Sequence, residues 1–238
     1  MHPQGGDEKE LRRRGCATRF LRMKFVPLVC IAAAAGCGWI RAGILDDLSK
    51  ADQARVKGGR QVVAAEPLEG YPWPRVRVYQ KVNAKPEELM AVFFDYEKSK
   101  DFVPNCEKSK ISKKINPRTF EVDYLVNVPI FADEAYTVRN VLSTSRNPLK
   151  VEWKVLRATS ILESEGSLLV EPHGDGAVLC YTNLVKPSSA AAGLLKGVAL
   201  GQMKDTVKAI VAQVEKMKTE NPDLLAKQLE RLESALAN

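Results

Sequence analysis

Between Ser188 and Met217, the residues Leu195, Val198, Ala199, Met203, Val207, Ile210, Val211 and Val214 recur at three- and four-residue steps. That spacing draws one apolar stripe along an α-helix. Lys196, Lys204, Asp205, Lys208 and Lys216 fall mostly on the other side. A long helix with one such face needs a surface to cover it, and the preceding chain offers strand-like runs. The segment therefore predicts a curved antiparallel sheet gripping a long C-terminal helix, an α+β architecture. Gly193, Gly197 and Gly201 lie four apart near the start of this helix, each costing about 1 kcal/mol against alanine in a helix interior. Three readings account for them: close packing of helix on sheet, a loosened lid, or a small-residue membrane contact that the lysines argue against.

The strand-like runs are period two. Phe120, Val122, Tyr124, Val126 and Val128 alternate with Glu121, Asp123 and Asn127, and Leu149, Val151, Trp153 and Val155 alternate with Lys150, Glu152 and Lys154. A strand over 136–142 sits between them, and a hairpin over 159–184 turns at Pro172–Gly176. Upstream, a first strand is expected over 75–82. A helix capped at Asn83 follows, with Leu89, Val92 and Phe93 facing inward, ending near Lys98. The lysines from Lys108 to Lys114 read as a solvated strand and turn. His173 falls in an exposed turn without a catalytic partner. Past the long helix, Asn221-Pro222-Asp223 starts another, with Leu224, Leu225, Leu229, Leu232 and Leu236 as its stripe, to pack on the domain or to self-associate.

Charge points away from nucleic acid. The formal net charge is +7, but residues 1–42 hold eight Lys/Arg against three Asp/Glu and so carry most of it. That same stretch has the pattern of an export signal: a basic run from Arg12 to Lys24, then an apolar run from Phe25 to Gly36 too short to span a bilayer. Met23 can serve as the start. A cut after Ala42 gives a periplasmic protein, and Ala34-Ala35-Gly36-Cys37 resembles a lipobox, which makes Cys37 a candidate for lipidation. Of the five cysteines, Cys106 and Cys180 remain after either cut, as one disulfide or two buried thiols. With no CxxC, no Cys/His cluster, and His2 and His173 as the two histidines, the chain offers no metal centre and calls for no cofactor.

The element order resembles the helix-grip fold of the START-like or SRPBCC superfamily, including its polyketide cyclase/dehydrase and coenzyme Q-binding branches. The stretches that carry the resemblance are Pro86–Tyr96, Val128-Pro129 with Asp133–Arg139, and Gly166–Gly176. Where many members have Asp-Arg-Asp/Glu-aromatic, this chain has Asp133-Glu134-Ala135-Tyr136, and Arg139 matches an arginine often found just after. The organisation expected is a leader over 1–42, a linker or short helix over 43–70, the START-like domain over 71–217 and a C-terminal helix over 218–238. The resemblance implies an apolar cavity between sheet and helix for a hydrophobic small molecule or lipid, with contact to a membrane surface as an accompanying expectation. The ligand-binding candidates are Phe120, Tyr124, Tyr136, Arg139, Trp153, Gly193, Leu194, Gly197 and Val198. Arg139, Asn140, Glu163 and Glu165 are candidates for orienting polar groups. The leading expectation is an exported, non-enzymatic carrier without catalytic residues. The alternatives are a cyclase or aromatase using Glu163 or Glu165 beside Arg139, and a protein-interaction module. Oligomeric state is left open.

Overall fold

The computed structural model describes residues 43–127, 133–189 and 196–237. The expected leader with Cys37, the expected strand position Val128, and Gly193, Leu194 and Leu195 lie outside the described residues. Eight strands form one antiparallel sheet: β1 (Val62–Glu66), β2 (Arg75–Val82), β3 (Cys106–Asn116), β4 (Thr119–Val126), β5 (Glu134–Arg146), β6 (Leu149–Ala158), β7 (Ile161–His173) and β8 (Gly176–Pro187). Their spatial order is β1-β2-β8-β7-β6-β5-β4-β3, so β2 pairs with the far end of the chain's strand run and the rest is a meander. The sheet is curved and open. Of the helices, α1 (Lys50–Lys57) precedes β1, α2 (Pro86–Phe94) lies between β2 and β3, and α3 (Lys196–Glu220) and α4 (Pro222–Ala237) follow β8.

Alternation assigns each strand a dry face and an outer face. Val76, Val78 and Val82 of β2, Phe120 and Val122 of β4, Val138 and Leu142 of β5, Leu149 and Val151 of β6, and Leu168 and Val170 of β7 all enter the main core. There they meet Leu89, Met90 and Val92 of α2 and Val207, Ile210, Val214 and Met217 of α3. The hairpin between β7 and β8 closes through Gly174, whose φ of 59° suits a residue without a Cβ.

Several expectations shift. Lys85, rather than Asn83, caps α2, its backbone N–H donating to the Glu88 carboxylate at 2.7 Å. This helix ends at Phe94, and a 3-10 turn, Tyr96–Asp101, takes the chain onward. Ser188 and Ser189 are not helical; the described helix starts at Lys196. The 43–70 stretch supplies both a helix and an edge strand. Ile44, Leu45, Val56 and Val62 bury against Tyr79, Val178 and Cys180 on the outer face of β2 and β8, a second small core. Cys106 and Cys180 are free and buried, with Cys180 in that second core, so no disulfide joins them.

The last helix packs on the domain. Leu225, Leu232 and Leu236 are buried in the main core, whereas Leu224 stays 41% exposed. Asp95, at the end of α2, accepts from Gln228 Nε2 at 2.8 Å and from Arg231 at 3.3 Å. A docking surface for another protein built on Leu232 is thereby excluded: the side chain is already used.

Candidate functional site

A cavity of about 410 Å³ lies between the sheet and the N-terminal half of α3. The size is within the ordinary range for small-molecule sites. Its origin lies in how α3 is covered. Val207, Ile210, Val214 and Met217 are buried, but Val198 is 38% exposed and Ala199, Gln202 and Met203 are half-buried. The second half of the helix anchors on the core, and the first half spans the space as a roof.

The floor is aromatic. Tyr124 of β4 and Tyr136 of β5 are cross-strand neighbours whose rings stack at 5.4 Å between centroids. Trp153 of β6 lies 5.0 Å from the Tyr181 ring and 6.1 Å from Phe93 of α2. Trp153 lies flat because its partner across the strands is Gly166: a Cβ there would sit 2.4 Å from the indole and 2.4 Å from the Thr182 carbonyl oxygen. Trp73, Phe102, Val103, Val138, Val155 and Ile210 are among the other apolar residues of the lining.

Some of the polar groups on the wall are matched to one another. Glu134 accepts from the backbone N–H groups of Thr159 and Ser160 at 2.9 and 3.0 Å and from the Ser160 hydroxyl, which fastens the β6–β7 turn to β5. Ser164 donates to Asn183 at 3.5 Å. Burial raises the hydroxyl pKa values of Tyr124, Tyr136 and Tyr181, which keeps these phenols protonated, as donors and not bases. Burial likewise pushes the Cys106 thiol up, away from a reactive thiolate. Asn140 is 3% exposed, and its Nδ2 has no hydrogen-bond partner; the same holds for the buried Nε2 of Gln202.

Of the residues expected at the site, Tyr124, Tyr136, Trp153 and Val198 line this cavity, and so does Asn140. Phe120 does not: it packs edge-on with Phe94 at 5.5 Å in the core beyond the cavity floor. Arg139 is on the outer face, where it donates to Glu121 at 2.8 Å, because the period of two puts it opposite to Val138 and Asn140. Glu163 is outward for the same reason and binds the Tyr71 hydroxyl and Lys186, and Glu165 lies on that outer face too. The acid–base pair imagined for a cyclase is therefore not at the cavity. Gly197 is not part of the lining, and a Cβ on Gly197 or Gly201 meets nothing within 4 Å. Close packing on the sheet does not explain these two glycines. Residues missed by sequence reasoning include Trp73, Phe93, Tyr181, Glu134 and Gln202. The alternation of β8 signalled Tyr181, and the α2 stripe signalled Phe93. Gln202 carried no signal, since a polar residue beside an apolar stripe reads as solvent-facing.

No protein-family model and no curated protein matches the sequence. Solved structures are similar in fold. The STAR-related lipid transfer protein from Xanthomonas axonopodis aligns at a TM-score of 0.57 with 15% identity, over 65% of this chain and 93% of that one. Human STARD10 aligns at 0.54 with 13% identity, over 71% and 78%. The Zhui aromatase/cyclase from Streptomyces sp. R1128 aligns at 0.52 with 16% identity, over 61% and 96%. The chain has the START-like helix-grip fold.

Proposed function

We propose that this START-like chain is an exported carrier that holds a hydrophobic small molecule or lipid in its cavity, for transport or sequestration. The observation that carries the reading is the cavity itself: about 410 Å³, floored by Tyr124, Tyr136, Trp153 and Tyr181 and roofed by the loosely covered half of α3. Aromatic floors of this kind offer large contact area to an apolar ligand. Similar folds described as lipid transfer proteins support it. The basic and apolar runs of the leader support export, either to the periplasm or to a lipid anchor at Cys37.

Gly197 and Gly201 fit the reading as a softened roof. Each weakens the helix where nothing crowds it, which favours opening of the first turns for ligand entry. A titration with an apolar fluorescent probe tests the reading. Saturable one-to-one binding is expected, and Ala199→Trp, which fills the roof side of the cavity, should abolish it while unfolding remains cooperative. Unchanged binding in that variant would place the probe elsewhere and remove the support.

A further inference from the structure

Some polar groups on the cavity wall have partners within the protein: Glu134 with Thr159 and Ser160, and Ser164 with Asn183. Two amides differ. Asn140 stands in mid-strand on the floor between the inward-facing Val138 and Leu142, 3% exposed, with Nδ2 unpartnered. Gln202 reaches the cavity from the α3 roof with a buried Nε2 that is also unpartnered. Burying an amide N–H without an acceptor is unfavourable, so two such groups on the wall of one cavity point to a ligand that accepts from them.

The charge inventory narrows that ligand. Among the described lining residues there is no Lys, Arg or His, and the carboxylate present, Glu134, already accepts three hydrogen bonds. A carboxylate or phosphate would enter without a counter-charge and lose its hydration, and a negatively charged neighbour would oppose it. We infer that the cavity selects a neutral amphiphile bearing a carbonyl oxygen, as in a ketone, quinone or ester, which accepts a hydrogen bond from Asn140 with Gln202 as the second donor. This rests on the ligand-holding reading above and names the chemistry of its ligand.

Three probes of one shape test it: propionyl-dimethylaminonaphthalene, the analogue with its carbonyl replaced by methylene, and the corresponding naphthalene carboxylate. The protein should bind the ketone about tenfold more tightly than either of the others, the size of one well-placed hydrogen bond. In Asn140→Leu the ketone and methylene affinities should converge. Infrared difference spectra of the bound ketone give a readout that needs no variant: the carbonyl band should lie at the lower frequency of a hydrogen-bonded carbonyl. Equal affinities for ketone and methylene probes, an unshifted band, or carboxylate bound as tightly as ketone would overturn the inference and leave the carrier reading standing. Binding of none of the three would overturn the carrier reading itself.

Discussion

Glycine has opposite meanings at two places in this chain. At Gly166 a methyl group would collide with the Trp153 indole and the Thr182 carbonyl, each at 2.4 Å. Gly166→Ala should therefore cost about 1–3 kcal/mol, as overpacking does, and should displace Trp153 from the cavity floor, seen as loss of probe affinity. At Gly197 and Gly201 the same methyl meets nothing, so alanine should stabilise by about 0.5–1 kcal/mol at each in urea unfolding. If the roof must open, ligand exchange in the doubly substituted protein should slow. Asp123 sets an acid limit. The Thr137 hydroxyl at 2.6 Å is the main cause that lowers its pKa, helped by Ser112 and Arg157 and opposed by burial. A depressed carboxyl contributes stability above its unfolded pKa, about 3.9, and loses it as pH falls through the lower folded value. Stability measured from pH 6 downward, to about pH 2, should show this loss, and Asp123→Asn should flatten that part of the curve.

Among the elements, α4 shows how a sequence stripe leaves two outcomes open. Leu224, Leu225, Leu229, Leu232 and Leu236 are as suitable for a dimer as for a core, since periodicity names a face and not its partner. What decides it is Asp95, which ties Gln228 and Arg231 to the end of α2. Leu232→Ala should cost about 2–5 kcal/mol, the usual loss for a buried leucine, while Leu224→Ala should fall within about 0.5 kcal/mol of wild type. Equal, small effects in equilibrium unfolding would mean that α4 does not pack as described. The element order from β2 onward was legible because period-two and helical stripes are long there. In contrast, α1 and β1 were obscured: α1 buries only Gln53 and Val56, too few to draw a stripe, and the β1 pairing with β2 has no local signature. The face of each strand residue follows from parity, so Arg139 and Asn140 could not both reach the cavity. Choosing between them needed the core side of β5, which Val138 and Leu142 mark.

For the molecule as a whole, architecture follows from the sequence more directly than the occupant does. The curved sheet, the long helix and the aromatic floor come from patterns that recur along the chain, whereas the cavity arises where a pattern is left uncovered. It opens where the stripe of α3 continues but the sheet no longer meets it, from Val198 to Met203. Solvent-facing and cavity-facing positions look alike in sequence at such a place, as Gln202 illustrates. The central claim, that the space is held for a hydrophobic ligand, is tested most directly by native mass spectrometry of the protein isolated from its own source, followed by extraction and identification of bound organic molecules. The account predicts a near-stoichiometric adduct of a neutral, hydrophobic compound that is absent from Ala199→Trp. A protein that is consistently free of adduct and takes up no apolar probe would contradict it.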